Sequence, residues 1–440
     1  MVSALAIWMN GERVGTWTVR GSTHTLQYEP SWLDAPHRRS LSLSLAMGAS
    51  RTVTGPVVKH YFDNLLPDNA AIRERLRGRF RASSVQAFEL LTAIGRDCVG
   101  AVQLLPESAA APNVKRLDHE ALDEAQVARH LDDMLSGAPM GRGEDADDSF
   151  RISIAGAQEK AALLRIGDRW CLPRGSTPTT HILKLPLGLV GGMQANMHDS
   201  VENEWLCLKL LGAMGLPTVD CEMATFGTHK VLVVERFDRQ WMDNGTWIAR
   251  IPQEDFCQAA GLPSSAKYEA DGGPGIAQGL SLLSGSADAA YDRSIFLLAQ
   301  LAFWMLAAID GHAKNFSLFI EAGDAYRMTP LYDVLSAWPI EGPRHHQIRR
   351  QRMKLAMAVR AHNAHYRLDE IQARHWRQLD AQHHLGLGET MLAMAQGVPQ
   401  AIARTQQLLP DQFPEAVWDK VTRQLLAQSR RFLRGYDATE

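Results

Sequence analysis

Residues 307 to 320 read AAIDGHAKNFSLFI, and residues 328 to 337 read MTPLYDVLSA. Four residues separate Asp310 from Asn315, and Asp333 follows Asn315 by eighteen. Carboxylate, amide and carboxylate in that order suit metal-assisted phosphoryl transfer. One Asp takes or orients the proton of an acceptor hydroxyl, the Asn holds a magnesium ion, and the second Asp bridges metal and phosphates. Hard magnesium wants oxygen ligands, which both side chains supply. Asp-x4-Asn alone is a common spacing and reads first as a helix-capping Asp and a turn Asn. Asp333, the Pro330 before it and the apolar residues around both sites favour chemistry, because desolvated carboxylates need a compensating cation. The layout predicts a kinase using ATP and Mg2+, with Asp310 catalytic and Asn315 and Asp333 on the metal.

Working outward, the apolar run from Ile295 to Ile309 is broken only by Gln300. It falls short of the ~18 residues of a membrane span and reads as a buried core helix. Upstream, a kinase needs a cation for the phosphates on an otherwise apolar strand, paired with a carboxylate from the next helix. Lys184 in THILKLPLG meets the first requirement, and Glu202 or Glu204 in VENEWLCLKLL could meet the second. The alternative for Lys184 is an edge-strand lysine facing solvent. In RISIAGAQEKAALLRI the small residues Ala155, Gly156 and Ala157 would let backbone N–H groups approach phosphate, although an ordinary hairpin turn reads the same way. Adenine would meet the strand end after KVLVV, at Glu235, Arg236 and Phe237.

A chain of 440 residues exceeds what one hydrophobic core supports, so two or three packed units are expected. The alternation of signals divides it into an α+β unit at 1–108, a connecting segment at 109–149, a β-rich lobe at 150–239 and a helical lobe at 240–440. Asn10-Gly11 between two apolar runs predicts an opening hairpin. Helices are expected in GPVVKHYFDNLLPDNAAIRERL, SVQAFELLTAIG, HEALDEAQVARHLDDMLSG and VENEWLCLKLLGAMG. After residue 240 strand signals thin out, apart from the short pair in SLFIEAGDAYRMTPL. The net charge of -3 gives no global attraction to nucleic acid or an anionic membrane. Five widely spaced cysteines, with no C-x-x-C pair, read as buried free thiols. The N-terminus lacks a basic region and a cleavage site, so no signal peptide is expected and the location is expected to be cytoplasmic, with no membrane partner.

Taken end to end, the chain resembles the HipA family of serine/threonine-protein kinase toxins from bacterial type II toxin–antitoxin pairs. The resemblance runs through WMNGERVG, LSLSLAM, FDNLLPD, IGRDCVGAV, ISIAGAQEKAALL, TPTTHILKLP, VENEW, VERFDR, PSSAKYEADGGPG, DGHAKNFSLFI and MTPLYDVLSA. It implies a two-lobed, α+β, protein-kinase-like fold with an extra N-terminal α+β subdomain. It implies Asp310 as catalytic base, Asn315 and Asp333 as magnesium ligands and Lys184 as the phosphate lysine. The nucleotide-binding set is then Ala155, Gly156, Ala157, Gln158, Glu159, Lys160, Lys184, Glu235, Phe237, His312 and Lys314. The resemblance further implies autophosphorylation at Ser153 with ejection of that loop, glutamyl-tRNA synthetase as target, and a HipB-like DNA-binding antitoxin that brings the pair to operator DNA. A phosphate on Ser153 would repel those of ATP.

Unlike eukaryotic-type kinases, the chain has no H-R-D before Asp310 and no Phe-Gly after Asp333, so activation-loop control of the usual kind is not expected. RHHQIRRQRMK after Pro343 is this chain's own variation. The basic runs Arg73–Arg81 and Arg349–Lys354 read as solvated faces, with phosphate-backbone contact as the alternative. His362, His365 and His375, and the adjacent His345 and His346, lack acidic or cysteine partners and read as structural. The rival functions are a small-molecule or lipid phosphotransferase with the same metal layout and a non-catalytic co-repressor.

Overall fold

The computed structural model describes residues 2–136, 158, 160–191 and 194–437. They form two compact units. The first comprises 1–185, 224–266 and 317–326; the second comprises 186–223, 267–316 and 327–440.

The first unit opens with the expected hairpin. Val2–Met9 pairs antiparallel with Glu12–Arg20, and Asn10 and Gly11 both take positive φ (47° and 87°), the backbone that a tight right-twisted hairpin turn demands. With Val102–Pro106, Thr23–Tyr28 and Thr52–Thr54 they make a five-stranded sheet. Leu5, Ile7, Val14, Trp17 and Leu26 pack in one core with Phe62, Leu90, Leu91 and Ile94, which come from the helices Pro56–Asp63 and Ala87–Ile94. Trp17 stacks on Phe62 with ring centroids 3.9 Å apart. Side chains of this size contribute roughly 1.5–3 kcal/mol each when fully buried.

A second, six-stranded sheet runs in the order Cys221–Phe226, His229–Glu235, His181–Lys184, Lys160–Ile166, Arg169–Pro173, His119–Leu122. Its last strand corrects the sequence reading, which put His119–Leu122 inside a helix. These four residues pair antiparallel with Arg169–Pro173 instead. The helix begins only at Glu124, after Asp123 and Gln126 exchange backbone-to-side-chain hydrogen bonds of 2.8 and 2.7 Å. That reciprocal cap is a start signal lying inside the expected helix. Val127 and Leu131 then join Leu163, Leu183, Val231 and Val233 in the core below the sheet.

Between these two sheets lies a buried ionic cluster. Asp97 receives Arg239 at 2.9 Å and Arg250 at 3.0 Å, with Arg236 at 3.5 Å, while Asp238 receives Arg236 at 2.7 Å and Arg239 at 3.0 Å. Burial alone would raise the Asp97 carboxyl, but Arg239, Arg250 and Arg236 outweigh it and hold the group well below its ordinary range. Asp238 is held down in the same way, by Arg236 and then Arg239 against burial. The N–H of Gly100 donates to Asp238 at 2.7 Å. Gly100 sits at φ 73°, and a Cβ there would meet the Gln253 carbonyl oxygen at 2.9 Å, so the close approach requires glycine.

The second unit is mainly helical. Its centre is the apolar run read from the sequence, the helix Ala289–Leu306, whose last turns from Ile295 onward are wholly buried. Asp288 caps its start by accepting from the Tyr291 N–H, and buried Asp292 accepts from the Met328 N–H at 2.9 Å and from the Ser286 hydroxyl. Ser200–Ala213, Ala373–His383, Gly388–Gln396, Val398–Gln406 and Glu415–Asp437 complete the set of longer helices. The sequence understated strand after residue 240. Arg239–Met242 pairs with Trp247–Arg250, and Lys354–Arg360 with Ala364–Arg367. The first of these hairpins turns on Asp243, Asn244 and Gly245, all at positive φ, a turn signal that the reading passed over.

All five cysteines are buried thiols outside any disulfide, as expected. Among the described residues no helix is long and apolar enough to cross a membrane.

Candidate active site

The last carbonyls of an α-helix have no partner within it, and a helix end buried in protein must find donors elsewhere. At the C-terminus of Ala289–Leu306 the donors come from two loops. The chain turns left-handed at Ala307 (φ 49°), and Ala308 N–H closes back on the Phe303 carbonyl at 2.8 Å. The Met305 carbonyl receives the Trp338 indole N–H at 3.0 Å, and the Leu306 carbonyl receives the Ser336 hydroxyl at 2.6 Å. The Ala307 carbonyl receives the N–H of Ala337 at 2.9 Å. One loop leads into Asp310 and the other follows Asp333. Capping a single buried helix therefore brings the two stretches together. Asn203, buried in Ser200–Ala213, fixes the second loop from its other side by exchanging hydrogen bonds of 2.8 and 2.9 Å with the Ser336 backbone.

Asn315 joins the loops directly. Its Nδ2 donates to the Asp310 carbonyl at 3.0 Å and to the Asp333 carbonyl at 3.2 Å. Both amide hydrogens are thereby committed to backbone, and Oδ1 is left on the opposite side of the amide. Asp333 itself is in the left-handed region, at φ 58°. A non-glycine residue in that conformation is uncommon and is held by its surroundings, here Asn315, Ser336 and the adjoining Tyr332, whose hydroxyl donates to the Lys314 carbonyl at 2.9 Å. Asp310 is exposed, whereas His312, Lys314 and Asn315 are buried. Gly311 lies against Phe303, where a Cβ would come within 2.5 Å of the ring. Neither Asp310 nor Asn315 serves as a helix cap; Asn315 closes the single turn Ala313–Asn315 and ties it to the Asp310 backbone.

Lys184, Gln158, Lys160, Glu235 and Phe237 belong to the first unit. Lys184 ends a strand flanked on both sides, by His229–Glu235 and Lys160–Ile166, and is 6% exposed. It is not an edge lysine facing solvent. In register it lies directly opposite Lys160, so the two cations stand side by side on one face of the sheet. Like charges so placed are unfavourable unless an anion offsets them. The Gln158 amide donates to the Leu185 carbonyl on the same side. Glu235 is exposed at the end of its strand, and Phe237 meets Phe319 edge to face at 5.6 Å. Arg236 between them anchors the strand end, its N–H on the Thr180 carbonyl at 2.8 Å and its side chain in the ionic cluster. Ser153, Ala155, Gly156, Ala157 and Glu159 lie outside the described residues. Glu202 and Glu204 are buried in the first turns of Ser200–Ala213, in the second unit.

In the basic runs Arg81, Arg349, Arg352 and Lys354 are exposed, as a solvated face would be. Arg73 pairs with Asp63 at 2.7 Å and Arg77 with Glu74, while Arg350 pairs with Asp369 at 2.9 Å and lies over the Trp338 ring. His365 and His375 stack at 3.9 Å, and burial followed by the charges of His365 and Arg374 pushes His375 down to about 4. Among the described residues no three His, Cys, Asp or Glu side chains gather as a metal cage. One site residue escaped the sequence reading. Tyr268 donates from its hydroxyl to the Asp310 carboxylate, across 42 residues of chain. Its motif, KYEADGG, was legible only as part of a resemblance.

The HipA-like C-terminal domain matches residues 152–407, and the HipA N-terminal domain matches residues 5–105. The Sinorhizobium fredii protein named "Putative kinase Y4mE" is 35% identical over 353 residues, covering 78% of this chain and 80% of the relative. The serine/threonine-protein kinase toxin HipA of Shewanella oneidensis is 28% identical over 430 residues, covering 93% of this chain and 91% of that one. A solved Shewanella oneidensis complex of HipA, HipB and operator DNA superposes its HipA with a TM-score of 0.80 at 24% identity, over 99% of this chain and 98% of that chain. The protein is thus an α+β enzyme of the kinase class. It belongs to the HipA family.

Proposed function

We propose that this chain is a serine/threonine protein kinase toxin that moves the γ-phosphoryl group of Mg-ATP to a serine hydroxyl on a protein. The observation that carries the reading is the Asn315 amide, which holds the backbones of Asp310 and Asp333 together and leaves its own oxygen available. Asp310 accepts the acceptor hydroxyl's proton as the new O–P bond forms and the bond to the β-phosphate oxygen breaks. Asn315 Oδ1 and the Asp333 carboxylate are the oxygen donors that magnesium prefers, and they would hold it. Bound there, the ion would neutralise charge building on the phosphates. By likeness to the HipA family, Lys184 and residues 155–160, with His312 and Lys314, would be the groups that bind the nucleotide. Glu235 and Phe237 present the adenine-binding strand end.

The protein acceptor, the toxin role and the antitoxin rest on likeness to the Shewanella proteins, whose solved complex contains HipB and operator DNA. On the same reading Ser153 is a self-phosphorylation site that silences the enzyme, the chain acts in the cytoplasm, and glutamyl-tRNA synthetase is the first target to test. The test is transfer of label from γ-labelled ATP by the purified chain to itself and to lysate proteins, with Asp310→Asn alongside. Labelling of serine that disappears in the variant is expected, together with loss of growth arrest. Growth arrest that persists in Asp310→Asn would favour a non-catalytic co-repressor, and label confined to small molecules or lipid would favour the other phosphotransferases.

A further inference from the structure

Asp310 is exposed, and an exposed carboxylate rotates freely in water unless something fixes it. The segment from Lys267 to Gly275, KYEADGGPG, is built to fix it. Tyr268 begins a tight turn in which the N–H groups of Asp271 and Gly273 both close on the Tyr268 carbonyl, at 3.0 and 2.9 Å. Gly272 occupies the left-handed region at φ 92°, which a side chain there would resist. Glu269 secures the turn from behind. Its carboxylate accepts from the Ala358 N–H and the Arg360 guanidinium, both at 2.6 Å, on the strand Lys354–Arg360. A Cβ on Gly275 would fall 2.4 Å from that carboxylate, so the glycine makes room for it. In front, the Lys267 carbonyl accepts the Ala313 N–H at 3.1 Å, joining the turn to the stretch that carries Asp310. The Tyr268 ring stands edge-on to His312 at 5.1 Å, and its hydroxyl donates to Asp310 Oδ1.

We infer that Tyr268 is a positioning residue for phosphoryl transfer: it holds the Asp310 carboxylate by one oxygen so that the other faces the acceptor hydroxyl. This rests on the reading of Asp310 as the base. A phenol on Oδ1 removes rotation about the carboxylate bond and leaves the lone pairs of Oδ2 for the incoming proton. Misplacing a reacting group by about 1 Å can cost on the order of a hundredfold in rate. The Glu269 tether explains why the tyrosine is carried on a turn anchored to a different strand rather than on the Asp310 loop itself. A donor fixed to independent structure keeps its direction when the carboxylate takes up the proton.

The experiment measures initial rates of label transfer from γ-labelled ATP to lysate protein by the full chain, comparing wild type, Tyr268→Phe, Asp310→Asn and the double variant. Tyr268→Phe keeps the ring on His312 and removes only the hydroxyl. We expect its maximal rate to fall roughly 10- to 100-fold, with KM for ATP and melting temperature unchanged, and the double variant to be no slower than Asp310→Asn. A Tyr268→Phe enzyme at the wild-type rate, with Asp310→Asn inactive, overturns the inference and leaves the kinase reading standing. Equal loss of rate and melting temperature, or a raised KM for ATP at full maximal rate, also overturns it. If wild type transfers no label, or Asp310→Asn transfers it normally, the underlying reading fails and takes the inference with it.

Discussion

Replacing Asp97 by Asn should unpin the first unit from within. Asp97 and Asp238 together face Arg236, Arg239 and Arg250, all five nearly inaccessible to water, so the cluster carries a net +1. Asn is almost the same shape and can keep the hydrogen bonds from the Thr179 N–H and hydroxyl at 3.1 and 2.8 Å, but the cluster then holds a net +2. A unit charge about 4 Å away is worth about 4 kcal/mol at an effective dielectric near 20. Removing one partner of a buried ion pair typically costs about 3–5 kcal/mol. A loss of that size is a large part of the roughly 5–15 kcal/mol that stabilises a folded domain. Urea unfolding of the two proteins at pH 7 measures it. The sign of the pH dependence follows from the depressed Asp97 carboxyl. Its stabilisation is fully present above the ordinary value near 3.9 and is lost as pH falls toward the lower folded-state value. The gap between wild type and variant must therefore shrink as pH drops from about 5 to 3. A gap under about 1 kcal/mol at pH 7, or one unchanged across that acid range, would refute the reasoning. Because Arg236 lies between Glu235 and Phe237, the variant should also show a raised KM for ATP with little change in maximal rate.

Two further substitutions probe other parts of the structure. Ser336→Ala leaves the buried Leu306 carbonyl without its 2.6 Å donor and should cost about 1–3 kcal/mol. It should also slow label transfer, because the same loop sets Asp333; an unchanged melting temperature would count against the capping argument. Glu254, wholly buried, is pushed up to about 8 by that burial, against the opposing Leu43 N–H and Ser42 hydroxyl. Its folded form keeps a proton that the unfolded chain releases above about 4.3. Stability therefore falls as pH rises from there toward 8, by on the order of 4 kcal/mol at pH 7.5. In Glu254→Gln that slope should flatten, as followed by denaturant midpoints across pH 5 to 8, and an identical slope in both proteins would dispose of the assignment.

Much of this protein is written in short stretches of its chain. Asn10-Gly11 closes its hairpin because two residues that tolerate positive φ suffice to turn a strand, and the apolar run from Ile295 is helical and buried as far as Leu306 because its composition permits little else. The order Asp310, Asn315, Asp333 is legible in the same way, as residue types at a spacing, and the fold joins the three stretches through the Asn315 amide. Tertiary structure decided what depends on partners distant in sequence. Lys184 is a central-strand lysine only because strands on both sides cover it, and His119–Leu122 is a strand only because Arg169–Pro173 offers it a ladder. Asp97 acquires its meaning from arginines more than a hundred residues later. Tyr268 reaches Asp310 because a turn anchored on Arg360 and Ala358 delivers it there. Local pattern records which way a side chain faces; only packing records what it meets.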